Sequence, residues 1–220
     1  MRVRKLLYLF LVAVLSAAFS AAPISAEADD LHSVLERLNV AAKNFRSVSA
    51  SVVFDTEQTD PVPDTDIQKA TAYYERSGGS FKMAAHIHEH NGRPMVAAYN
   101  YTGGALHFFD GTETHTYDAA KWESYLILGF GASGMELADK WDIKYLGSET
   151  LNGVNVAKLE LVAKDPQVRK NISKVTLWID PDHGVSLQQR FDEGSSLYRI
   201  CKYSDIKINQ SLPAKAFDLK

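Results

Sequence analysis

Three histidines spaced two residues apart, His86, His88 and His90, form the densest chemical grouping in the chain. On a β-strand, side chains at i, i+2 and i+4 point to one face, and imidazoles so placed can share a metal ion. The alternate positions carry Phe81, Met83, Ala85 and Ile87. The histidines are therefore expected on the polar, outward side of a strand leading into Asn91-Gly92, where an exposed imidazole needs no ligand. His107 and His115 could join them only if neighbouring strands bring them into line. No metal is assigned; His86, His88 and His90 stand as the candidate ligands if there is one.

Other chemistry is thinner. Gly131-Ala132-Ser133-Gly134 opens like a nucleophile elbow, but that pattern needs glycine at position 135, which is Met135. Ser133 and Glu136 fit a helix capping box instead. There is no phosphate-binding loop, dinucleotide fingerprint or H-E-x-x-H run, and the acidic residues show no acid–base spacing. Neither an enzyme nor a cofactor is expected. Asn100, Asn171 and Asn209 open glycosylation triplets, which matter only in a eukaryotic secretory pathway.

The elements that would position these residues begin after an export signal. Arg2, Arg4 and Lys5 precede a short apolar run over 6–14, and Ile24-Ser25-Ala26 is a cleavage site, so residues 1–26 are expected to be removed and 27–220 to form one domain. The leader takes three cations and no acids, which moves the formal charge from −3 to −6. Such a balance argues against capture of nucleic acid or of an anionic membrane surface. Cys201 is the single cysteine. No intramolecular disulfide can form, and no cysteine follows the leader for lipid attachment. In a double-membraned bacterium the compartment would be the periplasm.

Leu31, Val34, Leu35, Leu38, Ala42 and Phe45 make one stripe of an amphipathic helix over about 30–46, with Asp29 and Asp30 at its start. Alternation follows at 47–56, with Val48, Ala50, Val52 and Phe54 on one side. The Pro- and Asp-rich stretch 57–66 reads as a loop. Strands are predicted at 68–76, 80–88, 95–101, 106–109, 113–117, 142–150 and 154–163, separated by breaks such as Asn91-Gly92, Asp110-Gly111 and Asn152-Gly153 that suit tight hairpins. The stretch 171–203 adds three more, with Val175, Leu177, Ile179, Val185, Leu187 and Phe191 on one face. Trp178 falls on the other. Closely spaced hairpins without crossover helices predict a mainly β fold: a large, curled, antiparallel sheet.

One segment interrupts the meander, 118–141. It holds a short helix capped by Asp118 and carrying Trp122, Tyr125, Leu126 and Leu128, then Gly129, Gly131 and Gly134, then a second helix begun by Ser133 that buries Leu137 and Trp141. Too apolar for a solvated loop, it is expected to pack over the sheet, and its glycines suggest a lid that moves. Whether the inner face is a solid core or a lined cavity is open at this point.

The leader, the first helix flowing into Ser49-Ala50-Ser51-Val52-Val53-Phe54, the Leu177-Trp178-Ile179-Asp180 hairpin and the terminal Asn209, Leu212 and Phe217 together resemble the LolA-like periplasmic lipoprotein carriers over nearly all of 29–219. The resemblance implies an incomplete antiparallel β-barrel with helices covering its concave face. It also implies an apolar cavity for the acyl chains of lipoproteins or other lipids. The partners it implies are an inner-membrane ABC release transporter and an outer-membrane receptor, and the chain would act as a monomer. It places a gating arginine at Arg76, at the end of an early strand, although Ser77 stands where the family has proline; Lys82 reads as a solvated edge charge. The cavity and gate are expected at Arg76, Phe54, Tyr74, Met83, Trp122, Leu126, Leu128, Val175, Leu177, Ile179 and Leu187. A sensing or structural binding domain of the same fold, with a solid interior and a protein partner, is the alternative, and a metal-dependent protein built on the three histidines is the third reading.

Overall fold

The computed structural model describes residues 30–220; the expected leader and its cleavage site lie outside them. Helix α1 spans Leu31–Asn44, and Asp30 caps it by accepting a hydrogen bond from Ser33 N at 2.7 Å. Strands β1 (Ser47–Gln58), β2 (Asp64–Ser77), β3 (Ser80–His90), β4 (Arg93–Thr102), β5 (Ala105–Phe109) and β6 (Thr114–Asp118) follow as a meander. A 3-10 turn at Ala120–Trp122 leads into α2 (Glu123–Leu126) and α3 (Gly134–Lys140). Then come β7 (Trp141–Leu151), β8 (Val154–Ala163), α4 (Pro166–Asn171), β9 (Lys174–Asp180), β10 (Val185–Asp192) and β11 (Leu197–Ile208).

All eleven strands form one antiparallel sheet in the order β6-β5-β4-β3-β2-β1-β11-β10-β9-β8-β7. Two meanders are joined where β1 and β11 pair, and β6 and β7 remain as open edges, so the barrel is not closed. The β1–β11 seam is tied at one end by Asn209. Its side chain accepts from Arg46 N at 2.8 Å and donates to Asn44 O at 2.9 Å, while its own backbone takes a positive φ of 55°. That conformation suits asparagine and gives a physical role to one residue of the terminal motif.

The loop read at 57–66 is shorter than expected. β1 continues to Gln58 and β2 begins at Asp64, with Glu57 opposite Thr65 and Thr56 opposite Asp66. These ends are polar on both faces, so they carry no hydrophobic alternation from which to read a strand. In α1 the buried residues are Val34, Leu38 and Ala41, with Ala42 only half-buried.

The core has two parts. α1, the segment 128–137 and the inner faces of β7 to β10 pack solidly: Val34, Leu38, Phe130, Leu159, Leu161, Val175 and Leu177 are wholly buried. The glycines of the insertion serve this packing. A Cβ on Gly131 would collide with the Phe45 ring, one on Gly134 with the Leu35 carbonyl, and one on Gly129 would lie 2.8 Å from Ser186 and Gln189. Phe130 forms a β-bridge to Val185. This stretch is therefore part of the core, and its glycines permit close approach of backbones.

Trp178 lies on the outer face, as the alternation requires. Its indole N–H donates to Glu149 at 2.9 Å, and Lys158 Nζ sits 4.9 Å above its ring while also pairing with Glu149 at 2.7 Å. The tryptophan is covered by its own cross-strand neighbours. Lys82 is likewise engaged, 5.8 Å over the ring of Phe217, as the chain beyond β11 returns across β3 and β4.

Candidate functional site

β1, β2, β3, β4, β5, β10 and β11 turn a patch of inner face toward α2 that the solid core does not fill. Register sets its composition. Val52 and Tyr203 share one row with Ala70; Phe54, Gln68 and Cys201 share the next; Thr56, Asp66 and Arg199 share the last. The cavity, open at one side, is about 520 Å³, within the ~300–1,000 Å³ common for small-molecule sites. Phe54, Met83, Tyr99, Leu106 and Phe191 supply apolar wall, with Tyr125 and Leu126 of α2 facing them. A second hollow of about 560 Å³ lies between α3 and α4, but Lys121, Glu136, Asp139, Lys140, Lys164 and Asp165 line it. Charged walls suit an apolar ligand poorly, so the sheet cavity is the candidate.

The expected site residues divide between these regions. Phe54, Tyr74, Met83 and Leu126 line the cavity. Val175, Leu177 and Ile179 are at most 1% exposed and sit in the solid core, so they do not line it. Leu128 is buried beside Phe130. Leu187 occupies a bulge where the β9–β10 register shifts between Ser186 and Gln188, and it lies outside the main apolar cluster. Trp122 is half-buried, edge-on to Tyr125 with ring centroids 6.2 Å apart. Arg76, at the end of β2, donates to the Gly131 carbonyl at 2.6 Å and grips Glu136 of α3 through both Nη groups. The capping box expected at Ser133 and Glu136 is formed. Burial works against ionisation of Glu136, but the Arg76 guanidinium and the Ser133 N–H and hydroxyl outweigh it and hold its carboxyl below the usual range.

The insertion thus has two unlike halves. Residues 128–137 are built into the core, clamped by Arg76. The half before it, from the 3-10 turn through α2, contains no fully buried side chain. It rests on the cavity through Tyr125 against Phe191, with ring centroids 4.9 Å apart, and through a hydrogen bond from the buried Tyr101 hydroxyl to Glu123. Burial and the neighbouring carboxylate both push the Tyr101 hydroxyl pKa up, which keeps it a donor. Asp118 accepts from Ala120 N at 3.2 Å at the start of this half.

Gln189, Cys201 and Arg199, which sequence reasoning missed, join the expected Tyr74 around the cavity, and Gln189 and Tyr74 tie the 128–137 half to the sheet. Gln189, on the buried face of β10, donates to the Leu128 carbonyl at 2.5 Å and accepts from the Tyr203 hydroxyl at 3.0 Å. Tyr74 stacks on Phe130 with ring centroids 4.0 Å apart. Cys201 lines the cavity beside them, and burial pushes its thiol up to about 12. Arg199 lines the cavity mouth. The signal for these was present in the alternation of Leu197, Arg199, Cys201 and Tyr203, which puts an arginine on an inner face.

The three histidines do not share a face. Pairing slips between Ile87 and Glu89 on both sides of β3: against β2 His88 is an extra residue, and against β4 Met95 and Val96 stand opposite it. His86 stays outward, edge-on to Tyr73. His88 is exposed. His90 is turned inward, opposite Gln68, and pairs with Asp66. The bulge breaks the common face that a shared ion would need.

No protein-family model and no curated protein matches the chain. Solved structures do. MucB is matched with a TM-score of 0.54 at 13% identity, over 87% of this chain and 63% of that one. The Pseudomonas aeruginosa MucA/MucB complex is matched with a TM-score of 0.52 at 14% identity, over 87% and 62%. The chain therefore spans about three-fifths of those two. A LolA superfamily protein from Nitrosomonas europaea is matched over 86% of this chain and 98% of its own, at 18% identity and a TM-score of 0.42. At these identities the likeness is one of fold: the chain has the open antiparallel sheet seen in MucB.

Proposed function

We propose that this chain is an envelope protein that binds the acyl chain of a lipid or lipoprotein between its sheet and α2. The observation that carries the reading is the 520 Å³ cavity, walled by Phe54, Met83, Tyr99, Leu106 and Phe191 and roofed only by the loosely buried α2. Each methylene taken from water into such a space contributes about 0.8 kcal/mol. Entry needs movement of the 3-10 turn and α2 alone, while Arg76 holds α3 and the rest of the insertion in place. A carrier passing acylated cargo from a release transporter to an outer-membrane receptor, in the periplasm, is the fuller form of this reading.

The second reading is an envelope-sensing domain whose ligand controls a protein partner. The fold likeness to MucB, seen also in its complex with MucA, favours it. The fixed position of 128–137 supports it too, since a small moving flap fits sensing better than bulk exchange of cargo. The alternative was expected to have a solid interior; the cavity under α2 departs from that, so in this form both readings require an occupied cavity, and a filling substitution tests it. Ala85 is buried and faces the cavity. Ala85→Phe should abolish binding of a fluorescent fatty-acyl probe while leaving the far-ultraviolet circular dichroism unchanged. Binding that survives in this variant would remove the cavity as the site.

A further inference from the structure

The cavity is not apolar throughout. Asp66 of β2, Thr56 of β1 and Arg199 of β11 are neighbours in one register row at its mouth, and all three line it. Among the described residues that line the cavity, Arg199 is the single cation. A guanidinium carries five N–H donors in a planar fork. Arg199 Nε reaches Thr56 Oγ1 at a long 3.3 Å, and one Nη lies 3.3 Å from Glu193. No further acceptor among the described residues takes its other N–H groups, although its side chain is only 37% exposed. Arg76 and Arg37 differ, the one gripping Glu136 and Gly131, the other binding both oxygens of Asp182 at 2.8 Å.

The nearby anions limit what can dock. Asp66 already accepts from Gln68 at 3.1 Å and from Asn91 at 3.4 Å, and pairs with His90. Glu193 offsets part of the charge of Arg199. A multiply charged head group would meet these two carboxylates, whereas a single negative charge can use the N–H groups that Thr56 and Glu193 leave open. Half-buried cations are costly until paired, so a ligand that completes the pairing gains both chain burial and a charge-assisted hydrogen bond.

The geometry points to a ligand of defined class: one acyl chain ending in a single negative charge, a carboxylate or a phosphodiester, with the chain along Phe54, Met83 and Tyr125 and the head on Arg199. This rests on the acyl-binding reading above and narrows it. Arg199 is then the residue that sets head-group specificity.

The test uses the purified protein and ligands of equal chain length, below their critical micelle concentrations: hexadecanoate, its methyl ester, and a lysophosphatidylglycerol. Displacement of a fluorescent acyl probe gives each affinity. Hexadecanoate or the lysophospholipid should bind at least about tenfold tighter than the ester, the scale of a charge-assisted bond; the tighter of the two identifies the carboxylate or the phosphodiester as the head. In Arg199→Gln the preference should fall to about twofold or less. If that variant does not fold, Arg199→Lys keeps the charge without the fork and should lose at least about threefold of the preference. If none of the ligands binds, the acyl-binding reading fails and takes this one with it. If all bind the unaltered protein equally, or the preference survives in the variants, the head-group assignment alone is overturned.

Discussion

Replacing Phe130 by alanine separates a fixed core segment from a movable lid. Phe130 is wholly buried. Its ring stacks on Tyr74 at 4.0 Å and meets Tyr203 edge-on at 4.9 Å, and its backbone bridges to Val185. Truncation of a buried phenylalanine costs about 3–5 kcal/mol. Loss of two aromatic partners places Phe130→Ala toward the upper end, because each such pair contributes about 0.5–1.5 kcal/mol beyond area burial. For a domain of this size that lowers Tm by roughly 6–20 °C. Tyr125→Ala, in the other half of the insertion, removes a partly buried ring whose chief partner is Phe191, and should cost about 1–2 kcal/mol. Urea unfolding followed by tryptophan fluorescence reads both. The binding phenotypes should run the other way, with the acyl probe dissociating faster from Tyr125→Ala than from the unaltered protein. If Phe130→Ala costs less than about 1 kcal/mol, or less than Tyr125→Ala, the segment 128–137 is not core and the division of the insertion is wrong.

Arg76→Ala should loosen α3 and cost about 1–2 kcal/mol in urea unfolding, held to that range because Glu136 is half exposed. Glu136 has a folded pKa below its unfolded one, so its contribution is complete above the ordinary glutamate range and is lost as pH falls through the lowered folded value. The acid limb of a stability–pH curve should therefore be shallower in Arg76→Ala. Cys201, with its thiol pushed up to about 12, should react with a thiol reagent at pH 8 at least about tenfold more slowly than in urea, and equal rates would show the cavity floor to be open. Gly134→Ala sets a methyl against the Leu35 carbonyl and should lower stability by about 1–3 kcal/mol, whereas Gly153→Ala meets no atom and should cost only its positive-φ strain, about 1 kcal/mol.

Much of the architecture is legible in local pattern. α1, the β9–β10 hairpin and the capping box at Ser133 follow from 3.6- and 2-residue periods and from capping chemistry, and these are properties of a few adjacent residues. What escaped was set by register. The bulge at His88 turns His90 inward and leaves His86 outward, and the bulge at Leu187 takes that residue out of the main cluster. Neither leaves a mark in an alternating run. The role of Gly129, Gly131 and Gly134 was hidden for another reason. A glycine that bends freely and one that lets Phe45 or Leu35 approach are the same letter, and only the partner helix distinguishes them. Val175, Leu177 and Ile179 fall on the face that the alternation predicts, but what packs over that face comes from segments far away in the chain. Arg199 and Gln189 were readable as polar residues on an inner face and stand at the points where the cavity is most specific.

The central claim, that the space under α2 holds an acyl chain, is tested most directly by native mass spectrometry of the protein isolated from its native source without detergent exchange. The account predicts a population carrying added mass that releases an acylated lipid or lipoprotein on collisional activation, and loss of that population in Ala85→Phe. Protein that emerges only at its polypeptide mass, even when acylated ligand is supplied in excess, would contradict it.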